Sequence, residues 1–377
     1  MPYFSLSFSA RPCFLFSWLA CIAGVVGVVA IQAAEPAINS NFPDPSLAQD
    51  SDGRFYAFST QHKNINVQIA SSPDFSAWEL HEGADALPEV PSWAQDPPFA
   101  EVWAPDVNPL PSGGGWIMYF AAITKGAPRQ HCIGAATSKN ITGPYTPMDE
   151  PLVCDLALGG NIDPNLFHDP INDWYYLVYK VDGNSIGHGG SCDNTVEPIA
   201  PTPIYAQRMS GDDLVSPLGE TVFLINNIEH GGFQYDGPNT ERPSITYRNG
   251  TYYLLYNVYC YASLNYRIDY VSCVAGIDTL TGFAGCNWAE LKSKQQSQKE
   301  QTLLQTGDHV SGAVLYAPGS IDTSDDSVRV VFHGDTELAW FSHRRGYPVH
   351  RVRAMYAALV EYEGMDGSLR VLRLASS

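Results

Sequence analysis

Three acidic residues in this sequence stand close to prolines, and each opens a short apolar run. Asp44 and Asp163 directly precede a proline, and Glu241 stands two residues before one. Carboxyl groups can take or give a proton at a reacting centre, and acids that share one pocket raise at least one pKa by repulsion. A raised acid beside an ionised base is the pair that hydrolysis of a glycosidic bond requires. These three acids are therefore the candidate catalytic residues.

The acids recur within a repeated unit. The stretch 161–180 reads NIDPNLFHDPINDWYYLVYK: an acid before proline, a short apolar run, a turn rich in Asp and Asn, and an aromatic strand. An X-Pro step favours extended backbone, and the turn and aromatic residues favour a β-hairpin. Similar units begin near Asp44, Asp106, Glu241 and His309. Five units predict an all-β fold, a five-bladed β-propeller, with a β-sandwich of ordinary hairpins as the alternative.

The propeller hypothesis also predicts where the acids lie. The first strand of each blade lines the central channel, so residues at the same end of these strands meet at one mouth. We therefore expect Asp44, Asp163, Glu241 and His309 to share a pocket. A histidine at the start of a blade is also a candidate for contact with substrate.

Other candidates for substrate contact flank the acids. Trp103 and Asp106 belong to the second unit, where the indole could stack on a sugar ring or fill the core, and the sequence leaves both open. Arg242 directly follows Glu241 and is expected to be its charge partner. The segment 182–203 is long and rich in Gly and Pro, so we expect it to wall one side of the pocket, which favours action at chain ends.

Charge and composition exclude one class of partner. The chain has 377 residues and a formal net charge of −19. Nucleic-acid binding needs clustered Lys and Arg, so it is not expected. An acidic, aromatic-rich surface suits a neutral ligand such as a sugar. We expect one catalytic domain over residues 35–377, acting as a monomer.

The N-terminal segment 1–34 differs from the rest. Arg11 is its one charged residue, and an almost wholly apolar run follows, ending at Ala33 and Ala34. This pattern predicts a secretory signal peptide. An uncleaved anchor is the alternative, because the run approaches the roughly 20 residues of a membrane span. Either case places the domain outside the cytosol, as do the glycosylation sequons at Asn140 and Asn249.

Six cysteines follow the N-terminal segment, an even number that predicts disulfides in a secreted chain. The absence of a C-x-x-C pair does not favour zinc. Two pairs are expected to link cysteines that flank a predicted hairpin, and the third pair is what remains. The expected pairs are Cys132–Cys154, Cys260–Cys273 and Cys192–Cys286.

The segments NFPDPS, WAPDV, NIDPNLF, ERPSITYRNGTYYLLY and GDHVSG, in this order, resemble glycoside hydrolase family 43. The resemblance covers nearly the whole of residues 35–377 and implies a five-bladed propeller that hydrolyses arabinose- or xylose-containing polysaccharides with inversion. It places the general base on Asp44, the orienting and pKa-tuning acid on Asp163, and the general acid on Glu241. It requires no cofactor. His309 matches the family's channel histidine, which in some members implies a bound calcium or sodium ion.

The leading hypothesis is a secreted, inverting hydrolase of α-L-arabinofuranosyl linkages in arabinan or arabinoxylan. A β-xylosidase acting on xylo-oligosaccharides is the alternative within the enzymes, because the same acids serve both reactions. A sugar-binding propeller without catalysis is the alternative outside them, and the full set of three acids argues against it. The expected partner is a polysaccharide or oligosaccharide, with membrane contact only if the N-terminal segment is retained.

Overall fold

Five antiparallel sheets of four strands form the framework of the described chain. The structure is a computed structural model that describes residues 35–227, 236–277, 281–296, 302–310, 313–336, 351–363 and 368–374. The predicted signal peptide, residues 1–34, lies outside the described residues. Among those that are described, no helix combines the length and the apolar character that a membrane span needs.

Blades 1 and 2 each follow the chain from the inner strand to the outer strand. Blade 1 contains β1 (Ser46–Gln49), β2 (Phe55–Ser59), β3 (Gln68–Ser72) and β4 (Glu79–Leu80). Blade 2 contains β5 (Trp103–Pro109), β6 (Trp116–Ile123), β7 (His131–Ser138) and β8 (Thr146–Pro147).

Blades 3 and 4 have the same strand order. Blade 3 contains β9 (Asn161–Asp169), β10 (Trp174–Val181), β11 (Ile204–Met209) and β12 (Val222–Ile225). Blade 4 contains β13 (Thr240–Arg248), β14 (Thr251–Val258), β15 (Arg267–Val274) and β16 (Thr302–Leu304). Between β15 and β16 lies the helix α1 (Trp288–Gln296). Short 3-10 turns occupy Leu156–Leu158, Gly183–Ile186, Ser191–Asp193 and Phe283–Gly285.

Blade 5 is preceded by a separate two-stranded hairpin. The hairpin pairs β17 (His309–Val310) with β18 (Ala313–Val314). Blade 5 contains β19 (Tyr316–Thr323), β20 (Arg329–Asp335), β21 (Arg353–Glu363) and β22 (Ser368–Leu374).

The inner strands close into a ring. In the order β1, β5, β9, β13 and β19, each contacts the next, and β19 contacts β1. The ring is also joined at its edge, where Ile38 and Met355 exchange two backbone hydrogen bonds of 3.1 Å. The all-β, five-bladed propeller predicted from the repeats is confirmed. The two predicted glycosylation sites, Asn140 and Asn249, are exposed between strands of blades 2 and 4.

Each interface between neighbouring blades is filled by an apolar cluster, because alternate residues of a strand face opposite sides of its sheet. In β14, Leu254 and Tyr256 pack towards blade 3, whereas Tyr253 and Leu255 pack towards blade 5. The aromatic run that suggested a strand is therefore buried on both faces.

One local device recurs in all five blades. Near the start of each inner strand, a residue with positive φ directly precedes a proline: Asp44 (54°), Ala104 (47°), Asp163 (56°), Arg242 (50°) and Ala317 (42°). In blades 2 to 5 the strand register slips at this step. The proline has no N–H to leave unpaired, and such a bulge turns side chains in a new direction. We call this step the X-Pro bulge. The extended backbone expected for Asp44 and Asp163 is wrong, because left-handed residues stand there.

Three disulfides join the six cysteines of the described residues. Cys132–Cys154 is present as predicted. The other two bonds are Cys192–Cys260 and Cys273–Cys286, so the predicted Cys260–Cys273 and Cys192–Cys286 pairs are wrong. The reason is strand length: Cys260 lies beyond the start of β15, whereas Cys273 lies near its other end, opposite Tyr252. Six residues of strand separate those ends by roughly 20 Å.

Digestion without reduction should yield cross-linked peptides for these three bonds, identified by mass spectrometry. Replacing both Cys273 and Cys286 with Ser should lower the free energy of unfolding by about 2–4 kcal/mol in urea denaturation. A peptide joining Cys260 to Cys273 would contradict the connectivity.

Candidate active site

The three predicted catalytic acids meet in one cavity of about 380 Å³. Asp44 and Asp163 are the left-handed residues of the X-Pro bulges in blades 1 and 3. Glu241 directly precedes Arg242, the left-handed residue of the X-Pro bulge in blade 4. Because the bulges recur at the same end of the inner strands, they bring side chains from blades 1, 3 and 4 to one mouth of the channel. The expected convergence of these three acids is confirmed.

Asp44 is held by hydrogen bonds to both carboxylate oxygens. Ser320 donates to Oδ1 and Thr60 to Oδ2, each at 2.8 Å. Arg353 Nη1 lies 3.8 Å from Oδ1. Burial would raise the pKa of Asp44, but the positive charges of Arg353 and Arg242 outweigh it and hold this pKa well below its usual range. Asp44 is therefore ionised at any ordinary working pH.

His333 supports Asp44 from below without adding charge. The Asp44 amide donates to His333 Nδ1 at 3.1 Å, so that nitrogen is an acceptor and the ring is neutral. Burial, which disfavours the imidazolium, lowers the pKa of His333 to about 3. Among the described residues, its buried Nε2 has no hydrogen-bond partner.

Asp163 and Glu241 form a second acidic group. Burial and the negative charge of Glu241 raise the pKa of Asp163 to about 7. The Arg242 amide donates to Asp163 Oδ2 at 2.9 Å. Tyr266 donates its hydroxyl proton to Glu241 Oε1 at 2.9 Å. Asp163 therefore still binds a proton near neutral pH, whereas Asp44 does not.

Lys180 is a functional residue that the sequence reasoning missed. Its ammonium group is buried and donates to Glu241 Oε2 at 3.0 Å and to Asn184 at 2.7 Å, and it lies 3.1 Å from Asp182 Oδ1. Burial would lower the pKa of Lys180, but the carboxylates of Glu241 and Asp182 raise it above its usual value. The signal was present, because a lysine at the end of a buried aromatic strand needs a charged partner.

Tyr266, His333 and Arg353 were also missed. Tyr266 lies in the loop before β15, His333 in β20 and Arg353 in β21. None of these segments carries the X-Pro bulge. No local sequence pattern marks them, since only the packing of whole blades brings them to the acids.

Trp103 and Arg242 line the cavity as predicted, but their contacts differ from those expected. One face of the Trp103 indole stacks on His131, with ring centroids 3.8 Å apart. The Arg242 guanidinium is buried and donates to backbone carbonyls of blades 1 and 3. It is therefore not the charge partner expected for Glu241, a place that Lys180 takes.

Asp106 lies away from the three acids. It lines a second cavity of about 620 Å³ at the opposite ends of the inner strands. Ala104, two residues earlier, is the residue of blade 2 that matches Asp44 and Asp163. The two-residue offset places the Asp106 carboxylate deeper in the channel, where burial and Asp322 raise its pKa to about 7. A contact with substrate at the acid cavity is not supported for Asp106.

His309 is exposed on the hairpin β17–β18 and is not among the residues that line the acid cavity. The predicted roles for it at the pocket and at an ion are therefore not supported. The fifth X-Pro bulge is at Ala317, because the hairpin precedes blade 5 instead of opening it. The histidine that contacts the candidate base is His333.

The donor groups around His333 do not make a metal site. Within the described residues, no group of three or more His, Cys, Asp or Glu side chains could hold a metal ion. The imidazole that contacts Asp44 also faces the cations Arg353, Arg351 and Arg242, whose charges lower its pKa further. A calcium or sodium ion beside this histidine would meet those positive charges, so the residues fit such an ion poorly.

Fold and site together define a β-propeller with three carboxylates at one mouth of its channel. The family model of Glycosyl hydrolases family 43 matches residues 33–313, and the chain belongs to this family.

Relatives and solved structures agree with that assignment. An arabinan endo-1,5-alpha-L-arabinosidase C of Emericella nidulans is 28% identical over 57% of this chain and 58% of its own length. A beta-xylosidase of Formosa agariphila is 24% identical over 58% of this chain and 33% of its own length. The chain thus spans less than two thirds of these curated relatives. A thermostable family-43 glycoside hydrolase has the same fold, with a TM-score of 0.59, 23% identity, and 88% of this chain and 93% of that chain covered.

The Lys180 contacts predict a loss of stability that depends on pH. Lys180→Met leaves Glu241 and Asp182 buried without their cation, which should cost about 3–5 kcal/mol of unfolding free energy at pH 7. The raised pKa of Lys180 lies far above neutral pH, so its ammonium group is fully charged there. In the wild type at neutral pH, the ion pairs of Lys180 therefore make their full contribution to the free energy of unfolding. The deficit should shrink as pH falls towards 4, because the unpaired carboxylates of the variant take up protons.

Urea denaturation at the two pH values measures this deficit. Lys125→Met is the matched control, because its ammonium pairs with Asp96 at 3.2 Å on the exposed surface. The control should change stability by at most about 1 kcal/mol. Equal losses in the two variants would contradict the buried ion pair.

Proposed function

We propose that this protein is an inverting glycoside hydrolase that cleaves α-L-arabinofuranosyl linkages in arabinan or arabinoxylan. The observation that carries the proposal is the division of charge among the three acids. Asp44 is held ionised, whereas Asp163, beside Glu241, retains a proton near neutral pH. An ionised base and a protonated acid in one cavity are the two groups that hydrolysis with inversion requires.

Asp44 is the general base in this proposal. Both of its oxygens are held by hydroxyl groups, which fixes the direction in which it accepts a proton from water. The nearby Arg353 stabilises the ionised form before the reaction, and it lines the cavity in which a sugar hydroxyl would lie. A base that is already ionised and oriented needs little rearrangement in the transition state.

Glu241 is the general acid, and its neighbours set its orientation. Lys180 and Asn239 donate to Oε2, and Tyr266 donates to Oε1. Asp163 does not need to touch the glycosidic bond. Because its pKa is raised to about 7, Asp163 can hold a proton beside Glu241, and it thereby tunes and replenishes the proton that Glu241 gives to the leaving oxygen.

A β-xylosidase remains the second candidate, because one relative is a beta-xylosidase and the same acids would serve that reaction. This chain matches 58% of the length of the arabinan endo-1,5-alpha-L-arabinosidase C but only 33% of the length of the beta-xylosidase, which favours the arabinose-containing substrate. A sugar-binding propeller without catalysis is disfavoured by the complete and differently charged set of three acids.

Action at chain ends is supported by one wall of the cavity. Residues from the insertion 182–203, among them Cys192 and Asp193, line the cavity. The Cys192–Cys260 disulfide ties this insertion to the loop after β14, which contributes Tyr261 and Tyr266 to the same cavity. A wall that is covalently fixed limits the space for a chain that continues past the reacting sugar.

The remaining proposals concern location and partners. Three disulfides support an extracellular protein. The partner is a polysaccharide or oligosaccharide, bound by a monomer, and Trp103 offers an aromatic surface at the cavity. Nucleic acid is not a partner of so acidic a chain. The acid–base reaction itself needs no cofactor.

The assignments of acid and base are tested with two kinds of substrate. Glu241→Ala should lower kcat/KM on arabinan by about 10²–10⁴-fold but impair a nitrophenyl arabinofuranoside much less, because nitrophenolate leaves without a proton. Asp44→Ala should impair both, and azide should partly restore it, since azide attacks without losing a proton. NMR of the first product should show the inverted anomer.

Glu89→Ala, an exposed acid, is the control and should keep wild-type rates. Near-full activity of Glu241→Ala on arabinan would refute the assigned acid. A wild type that is inactive on arabinan, xylan and both aryl glycosides would refute the proposed hydrolase.

The wall predicts the first products. The wild type should release single sugars from linear arabinan, measured by chromatography in the first minutes of reaction. Replacing Cys192 and Cys260 with Ser should free the insertion and add longer oligosaccharides to the products. The paired replacement of Cys273 and Cys286, whose disulfide does not border the cavity, should not change the product pattern. Mixed oligosaccharides from the wild type at the start would contradict action at chain ends.

A further inference from the structure

Arg242 crosses the central channel. It occupies the X-Pro bulge of blade 4, and only 2% of it is exposed. Nη1 donates to Pro164 O of blade 3 at 3.3 Å, and Nη2 donates to Pro45 O and Asp44 O of blade 1 at 3.2 and 3.4 Å. Blades 1 and 4 are not neighbours in the ring, so a side chain that joins them must pass through the channel between the inner strands.

Two layers of carboxylates surround this guanidinium. Asp44 and Asp163 belong to the acid cavity, while Asp106 and Asp322 lie in the layer below. Asn165 Nδ2 joins the two lower acids, at 3.2 Å from Oδ1 of each. Burial raises the pKa of Asp106 and Asp163, and the charge of Arg242 opposes that rise in both. One cation therefore acts on both layers.

The backbone oxygens that Arg242 binds follow from the X-Pro bulges. The left-handed step at Asp44 and Asp163 turns the carbonyl groups of blades 1 and 3 towards the channel axis. Buried carbonyl oxygens that face one point need a donor or a cation. The planar guanidinium, which only donates, satisfies three of them at once.

We propose that Arg242 is the resident cation of the channel and a positioning residue for Asp44 and Asp163, so that the charge a bound metal ion could supply there comes from the chain itself. The inference rests on the proposed function for the roles of those two acids. It explains why an arginine stands at a left-handed position where the other four blades carry Asp or Ala. Activity should accordingly be independent of calcium and sodium.

The charge environment of the two acids sets the expected pH effect. The charged and polar groups around them, from every element that packs there, are Arg242, His333, Arg353, Thr60 and Ser320 for Asp44, and Arg242, Glu241, Lys180, Tyr266 and Asp44 for Asp163. Removing the Arg242 charge favours the protonated form of both acids. The basic limb of the kcat/KM profile, which reports loss of the proton that Asp163 holds near neutral pH, should therefore move to higher pH by about 1 unit or more.

Arg242→Ala and Arg242→Lys test the proposal on an aryl arabinofuranoside. Arg242→Ala should lose roughly tenfold or more in kcat/KM per folded molecule, with the shifted basic limb. Guanidinium ion at about 50 mM, far below denaturing concentrations, should restore part of this activity, whereas urea, of similar shape but neutral, should not. Arg242→Lys should keep the position of the basic limb better than Arg242→Ala, because it keeps the charge.

Arg248→Ala is the matched control, since its guanidinium donates to Asp326 O, away from the acid cavity. It should keep the wild-type pH profile and be insensitive to guanidinium. Folding is followed by near-ultraviolet circular dichroism and by Tm. An unshifted pH profile in folded Arg242→Ala, or equal effects of guanidinium and urea, would overturn the proposal.

If the variants do not fold, the wild type still allows an independent test of whether a metal ion is needed. Treatment with a chelator, in buffer without sodium, should leave both kcat/KM and Tm unchanged, and loss of either with recovery on adding calcium would overturn the proposal. A wild type that is inactive on every glycoside would refute the proposed hydrolase but would not decide the role of Arg242. In that case the Tm of Arg242→Ala and of the wild type is compared with and without guanidinium, which should raise the Tm of Arg242→Ala more. Absence of that difference would refute the resident cation by itself.

Discussion

The left-handed residue before a proline is the constraint on which the rest of this molecule depends. A residue with a side chain adopts positive φ at some cost, which persists only where the surrounding structure fixes it. Here five inner strands, closed into a ring, fix it five times. The step shifts the strand register in blades 2 to 5 and brings side chains that are far apart in sequence to one mouth of the channel. Without it, Asp44 and Asp163 would follow the plain alternation of a strand and face the blade interfaces as often as the cavity.

Charge balance is the second constraint, and it follows from the first. Gathering acids at one mouth is unfavourable unless cations are gathered with them. Lys180 lies beside Glu241, Arg353 beside Asp44, and Arg242 between the two layers of acids. The three cations are not equivalent, since they leave Asp44 charged while Asp163 retains a proton. The same arrangement that makes the acids tolerable therefore also makes them different from one another.

Much of this could be read from the sequence, and the limits have identifiable physical reasons. Turn residues between aromatic runs are local signals, so the hairpins and the propeller were predictable. Asp44, Asp163 and Glu241 were found because prolines mark the bulges. Asp106 and His309 were misplaced because the repeats were aligned on polar residues instead of on the X-Pro step, which Ala104 and Ala317 occupy in those blades.

Other features depended on distances that no local pattern contains. The Cys260 and Cys273 pairing failed because a strand of regular length separates them, although both flank the same pair of strands. Tyr266, His333 and Arg353 reach the acids only after whole blades pack together. Lys180 was the exception, since a lysine within a buried aromatic strand already signals a buried partner.

The bridge between Ile38 and Met355 has a consequence for how the chain acquires its structure. During synthesis the segment around Ile38 emerges before the blades, but its partner in β21 emerges only after four blades have been made. The ring must therefore stay open until β21 is available, and contacts between such distant residues form slowly. The edge of blade 1 stays exposed to association with other chains for that time. The last strands thus act as a latch, and a chain that stops before them would be left as an open sheet stack with two free edges.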